Sequence, residues 1–551
     1  MLAARRLARV CLAVILLAGC TTPSPAGDDG VPANSATDGS PPLASAPIEL
    51  PSPIATPQLP VHAVPAPKTG PLPDIVPNSI EQENLQPGEF FELKSRASPL
   101  QGYVQPFSTV QGGTVSLFVN ATRNYTASIE RIGWYGGAGA RVVATIGEFP
   151  PQAQPAPVLN QTWALETFSW DMSASISVGV NWTSGIYVVK LASNGIDPAY
   201  VPFVVKSATA HGSLLFHTNE FTWQAYNQFG GSGLYGASTD VTNATGLRRA
   251  VAVDLARPFP VDGTGQLNNW EIPMVRFLEK RGLNIDYAAD IDIATGAVDL
   301  SQYRGVITAG HDEYWTPAMR DQFDAARDSG TNLAFFAGNS GYWVSRLVQS
   351  PGGIKDILVC YKTPNDPIRA IDPAQTTNAF ALAPVNRSEA LLFGMHWSAG
   401  NRTDLKPLFD EVIGDAARST FKNAPTAGTV IPGIVGYEWE SVVTPVPTGL
   451  VVLGTSHPSG IGNLTLAQSA TIYRAPSGAF VFSAGTISWV TGLERWPVPA
   501  GKSTPSPDLV QLTEQIVQLA GGNTSVLQPS APLLVGPSFS GEGVPTSLPN
   551  A

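Results

Sequence analysis

Cysteine is scarce in this chain: three in 551 residues, two of them, Cys11 and Cys20, within the first twenty. Cys360 therefore stands alone in the body of the protein, which excludes an internal disulfide framework and a cysteine-ligated zinc site. Charge is scarce as well. Only 14% of residues are charged, and 32 basic against 43 acidic side chains leave a net charge of −11, with Lys and Arg scattered along the chain. Nucleic acid is excluded as a partner on that ground, because it demands a clustered positive field. The apolar run near the N-terminus, residues 10–17, is too short to span a bilayer. With 53 Gly, 49 Pro and yet 43% hydrophobic residues, the chain is too apolar to be wholly disordered and too long for one ordinary domain. Two folded regions with unstructured flanks are expected.

Residues 1–20 read as a signal segment: Arg5, Arg6 and Arg9 precede the apolar run, and Leu17-Ala18-Gly19-Cys20 closes it. That ending resembles the bacterial lipobox, which implies lipidation of Cys20, anchoring to the cell membrane and an extracytoplasmic place of work. An ordinary cleaved secretory signal is the alternative. Residues 21–79 follow as a proline-rich tether; between 21 and 77 there are 15 prolines, one basic residue (Lys68) and no Phe, Trp or Tyr. Such a segment cannot bury a core, and as a coil it reaches roughly 40 Å. Residues 526–551 read as a similar, shorter tail.

Residues 80–207 carry short β-branched runs (114–119, 185–191, 200–205) separated by turn clusters such as Gly136-Gly137-Ala138-Gly139, which predicts a β-sandwich. Trp134 and Tyr135 beside that turn are candidates for stacking on a sugar, although packing is the commoner role for such rings. From 208 to 525 the period changes, and apolar strands alternate with helical segments, the mark of an open α/β domain with a parallel sheet. Strands are expected at 213–217, 284–288, 304–309, 331–337, 450–455 and 479–484. Thr316-Pro317 opens a helix burying Met319, Phe323 and Ala326, residues 271–281 form another, and Leu509, Leu512, Ile516 and Leu519 share one face of a closing helix. The junction at 206–212 is short and implies an apolar contact between the two regions.

Ligands of such a sheet bind beyond the carboxyl ends of its strands, and those positions are rich in polar and aromatic residues. After the first strand come His217-Thr218-Asn219-Glu220 and then Trp223, Tyr226 and Asn227, candidates for substrate binding together with Asn339. Gly310-His311-Asp312-Glu313-Tyr314-Trp315 follows another strand, with His311 and Glu313 as candidate acid–base residues. Gly338-Asn339-Ser340-Gly341-Tyr342-Trp343, Gly436-Tyr437-Glu438-Trp439-Glu440 and Ser456-His457 complete the set. Trp315, Trp343 and Cys360 read as packing residues. Ser340 misses the nucleophile-elbow spacing by one residue, and no cysteine stands there for an amidotransferase nucleophile. His217, His311 and His457 form an alternative three-histidine zinc set.

The segments 310–314, 338–343 and Phe482-Ser483-Ala484-Gly485-Thr486-Ile487-Ser488-Trp489 together resemble the C-terminal domain of the large (β) subunit of N,N-dimethylformamidase, over roughly residues 211–525. The resemblance implies a glutamine-amidotransferase-like α/β fold and hydrolysis of an amide C–N bond by a mononuclear iron held by two tyrosines and a glutamate. Tyr314 is the motif-matched tyrosine; Tyr342 or Tyr361 supplies the second, and Glu438 or Glu440 the carboxylate. His311 and Glu313 then act beside the metal as base or orienter. The chain departs from that family in an export signal where the enzyme is cytoplasmic, in Asp312 where proline is expected, and in a stretch, 347–430, without a recognisable motif. The competing reading is a non-catalytic surface lipoprotein that holds a glycan or other small ligand in the same crevice, without metal.

Overall fold

A computed structural model describes residues 80–91, 97–210, 213–236, 243, 246, 248–349, 356–400, 408–462, 465–498, 501–502 and 504–531, all within one compact unit. Cys20, the signal segment, the tether at 21–79 and most of the tail lie outside the described residues. Among those described, no helix is long and apolar enough to cross a membrane.

Residues 89–206 build two facing antiparallel-rich sheets, one of six strands and one of three. The strand Thr114–Asn120 shows how sequence sets their packing: Val115, Leu117 and Val119 alternate inward and meet Tyr187, Val189, Val201 and Phe203 of the larger sheet. The opposite face of that larger sheet is apolar too. Ile132, Ile186, Val188, Tyr200 and Val204 share one core with Phe216, Trp223, Trp270, Met274 and Tyr287 of the following region. At about 1.5–3 kcal/mol for each fully buried side chain, these five contribute on the order of 10 kcal/mol as an upper bound, comparable with the whole net stability of a typical domain. The seam also holds an ion pair out of water: Arg131 Nη2 lies 2.8 Å from Glu279 Oε1, and Tyr287 donates to the same oxygen at 2.7 Å. Trp134 is covered at this seam by Arg276 and Lys280 and Tyr135 is buried, so neither ring is presented as a sugar platform.

The second region is mixed α/β around nine strands: β1 (Leu214–Thr218), β2 (Ile285–Ala289), β3 (Gly305–His311), β4 (Asn332–Gly338), β5 (Phe409–Ile413), β6 (Val430–Val435), β7 (Val451–Ser456), β8 (Gln468–Arg474) and β9 (Phe480–Ser483). Their order is β2-β1-β3-β4-β9-β8-β7-β5-β6. The first five are parallel and the last four attach antiparallel. The parallel strands thus run 2-1-3-4-5 in chain order, and the order reverses between β1 and β3, where such sheets open a crevice. Four helices matter for the site: α1 (Glu220–Tyr226), α2 (Ile272–Glu279), α3 (Pro317–Asp328) and α4 (Pro507–Ala520). Helix α3 begins where Thr316 Oγ1 accepts from Met319 N at 3.1 Å with proline in the first turn. It buries Met319, Phe323 and Ala326 against the sheet.

Candidate functional site

His217 is the penultimate residue of β1 and His311 the last of β3, one on each strand of the switch point. Gly310 has φ +82°, and a Cβ there would stand 2.3 Å from Trp270 Cβ, so glycine is required both for the turn and for the close approach. The loop that follows is pinned on both sides. Glu313 N donates to Thr222 Oγ1 of α1 at 3.0 Å, Gly341 N to Asp312 O at 2.8 Å, and Trp343 N to Glu313 O at 3.0 Å.

On the crevice side of that loop His311 Nε2 faces two carboxylates, Glu313 Oε2 at 3.3 Å and Glu438 Oε2 at 3.9 Å, and neither ring nitrogen is hydrogen-bonded. Tyr235 donates to Glu313 Oε1. Tyr226, at the end of α1, stacks on Tyr235 with centroids 4.3 Å apart and stands 5.0 Å from the His311 ring. Tyr437 meets the same imidazole edge-on at 5.6 Å. Glu438 is aimed by Asn339 Nδ2 and by Trp397 Nε1, which donates to it at 3.0 Å. Lys362 lays its Nζ 3.0 Å from the centre of the Tyr235 ring, and this buried amine has no hydrogen-bond acceptor. Asn339, Lys362 and Tyr437 have φ of 54°, 55° and 56°, three left-handed residues without glycine's freedom in one site.

Charge in this cluster is divided unequally. Burial alone would depress His311, but Glu313 and Glu438 outweigh it and hold the imidazole above its ordinary value. Burial pushes Glu313 up, yet His311 and Lys362 keep it below the usual range. Burial carries Glu438 to about 7 despite the pull of His311, and burial lowers Lys362 to about 7. Two carboxylates with opposite displacements beside one imidazole are the arrangement from which an acid and a base are made.

Behind the loop lies a second, fully buried group. His217 Nε2 is 2.5 Å from Asp290 Oδ1 and its Nδ1 is 3.7 Å from Asp312 Oδ2. Asp290 also accepts from Phe221 N at 2.8 Å, and Asp312 from Trp315 Nε1 at 2.6 Å. Among the described residues, these are the His, Cys, Asp or Glu side chains whose ligand atoms gather in a threesome within 4.8 Å. This group could hold a metal ion, and through Asp312 and its bond from Trp315 it also braces the 311–313 loop.

The structure brings His311, Glu313, Glu438, Tyr226 and Asn339 together and puts other candidates elsewhere. Trp223 donates to Glu271 Oε1 at 2.9 Å and packs on Phe107 and Phe259, in the seam instead of the crevice. Asn227 ties its own loop to Gln224 Oε1 and Pro258 O, both at 2.9 Å. Tyr361 packs with Trp163, Leu165 and Val359 in a separate cluster. Tyr342 is buried against Trp343 and Trp397. Tyr314 stays at the edge of the cluster, its ring 6.4 Å from that of Tyr235 and 5.3 Å from Lys362 Nζ, its hydroxyl buried without a hydrogen bond. Glu440 accepts from Ser340 N at 2.7 Å, and burial raises it to about 8. His457 is exposed and apart from His217, so the three-histidine set does not assemble. Trp315 stacks on Phe323 at 4.3 Å, and the Cys360 thiol is buried against Val344 O. Tyr235 and Lys362 carry no local sequence signal; Tyr437 lies in a strand-end segment already conspicuous in the sequence.

The profile of a family described as N,N-dimethylformamidase beta subunit-like, C-terminal, matches residues 126–504. No curated protein matches the chain. The matched span begins inside the sandwich, crosses the seam, takes in every residue of the His311 cluster and covers more than two thirds of the sequence. The chain belongs to the N,N-dimethylformamidase beta subunit-like family.

Proposed function

We propose that this protein hydrolyses the C–N bond of a small amide, with Tyr226, Tyr235 and Glu313 holding a mononuclear iron and His311 and Glu438 moving protons beside it. The observation that carries the reading is the convergence of two phenols and a carboxylate at one strand end, with Glu313 Oε2 and His311 Nε2 buried and without hydrogen-bond partners. Phenol and carboxylate oxygens are hard donors of the kind ferric ion prefers. This moves the ligand set implied by family resemblance from Tyr314, Tyr342 or Tyr361 and Glu438 to Glu313, the Tyr235 bonded to it, and the Tyr226 stacked on that ring. When bound, the ion would supply a Lewis acid that polarises a carbonyl and acidifies water.

The remaining steps belong to the chain itself. His311 Nε2 receives the proton of the attacking water, and Glu438, poised near 7, returns a proton to the departing nitrogen. Asn339 fixes the carboxyl that does so. Trp397, Tyr437 and Tyr226 wall the site with rings, which favours an amide of small apolar substituents. Burial holds the Tyr226 phenol well above 10 in the protein alone, so metal uptake must release protons. The 2-1-3-4-5 strand order supports the glutamine-amidotransferase-like reading of the domain.

Reconstitution with ferric ion tests the reading. Wild type is expected to take up one iron with proton release, to gain visible phenolate absorption and to hydrolyse N-alkyl formamides, whereas Tyr235→Phe and Glu313→Gln lose all three. Full iron content in both variants, or none in wild type, overturns it and favours the ligand-binding alternative. We further propose that residues 1–20 direct export and that Cys20 carries the lipid anchor; Cys20→Ser is expected to move the protein out of the membrane fraction, and its retention there would refute the anchor.

A further inference from the structure

We infer that the cavity at the seam between the sandwich and the α/β region is a second ligand site, shaped for a small molecule bearing one ammonium group on an apolar body. The cavity encloses about 310 Å³, at the lower end of the ~300–1,000 Å³ range of small-molecule sites, and it lies at an interface between folded regions, where such sites concentrate. Helix α1 separates it from the His311 cluster. Glu220 and Gln224 line the cavity, while Thr222 and Tyr226 of the same helix face Glu313 and His311.

The lining fixes the chemistry of the occupant. Val104 and Phe107 from the sandwich, with Leu255, Ala256 and Ile291 from across the seam, give it an apolar wall. The one cation among the described lining residues is already engaged: Lys206 pairs with Asp292, which also accepts from Ser108 Oγ at 2.6 Å. Glu220 spends both oxygens on the backbone N–H groups of Asp290 and Ile291, each at 2.7 Å. Asp356 remains. Its carboxylate is half-buried, lines the cavity, and has no hydrogen bond or ion pair among the described residues. Burial and the nearby Asp254 raise its pKa above the ordinary value, the signature of an anion lacking a counter-charge. With Lys206 and Asp292 cancelling each other, the Asp356 carboxylate repels an anionic ligand, and a neutral one would leave it uncompensated.

Titration calorimetry of the full chain with three probes of one length tests the assignment: n-hexylammonium, hexan-1-ol and hexanoate. Hexylammonium is expected to bind one to one, at least tenfold more tightly than hexanol, with no binding of hexanoate. Asp356→Asn should remove that preference. Ala297→Trp, at the exposed rim of the cavity, should block binding of both hexylammonium and hexanol without disturbing the fold. Glu313→Gln, on the far side of α1, should leave hexylammonium binding unchanged, so the inference stands or falls independently of catalysis. Saturable binding of none of the probes, equal binding of hexanol or hexanoate, a preference that survives Asp356→Asn, or its loss in Glu313→Gln would each overturn it.

Discussion

His217 and His311 stand at the ends of neighbouring strands of one sheet, and both are fully buried, yet their surroundings are opposite. His217 has a carboxylate 2.5 Å from one ring nitrogen and another facing the second, and those carboxylates are held in turn by a backbone amide and an indole. His311 has two carboxylates on a single nitrogen, neither at hydrogen-bond geometry, amid rings and an unpartnered lysine. The first has one ring nitrogen hydrogen-bonded to Asp290 and the other, Nδ1, without a hydrogen bond, among groups that hold the loop. The second leaves proton donors and acceptors unspent, which costs stability and is retained only where chemistry uses it. Burial alone does not distinguish the two histidines; His217 has one ring nitrogen in a hydrogen bond and His311 has neither.

Substitutions break the comparison in order of size. His311→Gln is expected to lower kcat by 10²–10⁴, the usual worth of an acid–base group, with a thermal midpoint within a few degrees of wild type; an equal loss of folding and activity would make His311 structural. His217→Leu should do the reverse, costing about 1–3 kcal/mol in chemical denaturation because Asp290 loses a buried hydrogen-bond partner, while activity per folded molecule stays within a few-fold.

Glu411 on β5 supplies a third case, buried, unpartnered and remote from the crevice. Burial raises it to about 8, so between its unfolded value near 4.5 and 8 the folded state holds the extra proton. Stability should therefore fall with rising pH across that window, by up to about 1.4 kcal/mol per pH unit, and Glu411→Gln should flatten the slope; an unchanged slope would show that Glu411 is paired. The smallest effect is Tyr314→Phe. Removing a buried hydroxyl that has no partner should change stability by less than about 1 kcal/mol and leave iron content untouched. Loss of iron would return Tyr314 to the ligand set.

Parts of this were legible in the sequence for physical reasons. Parallel strands buried on both faces appear as unbroken apolar runs, which is why β1, β3, β4 and β9, and hence the strand-end residues His311, Glu313 and Asn339, stand out. In the antiparallel half β7 stands out at 450–455, whereas β5 and β6 do not, because Glu411 interrupts β5 and Pro432 and Gly433 interrupt β6. On α1 one helical step of about 100° separates Thr222, which holds Glu313, from Trp223, which enters the seam; strand-end position alone does not resolve that rotation. Tyr235 and Lys362 reach His311's neighbourhood from loops far apart in the chain, so only tertiary structure reveals them.

The left-handed backbone at Asn339, Lys362 and Tyr437 has a consequence for selection. Among the described residues seven non-glycine residues have positive φ, and three of them touch the His311 cluster, Tyr437 at the imidazole, Asn339 at Glu438 and Lys362 at Tyr235. At about 1–3 kcal/mol each, they make glycine the thermally favoured replacement at three positions whose side chains aim or wall the site. A population of variants sorted for heat resistance alone should therefore drift toward glycine at 339, 362 and 437, gaining melting temperature and losing turnover in the same generations.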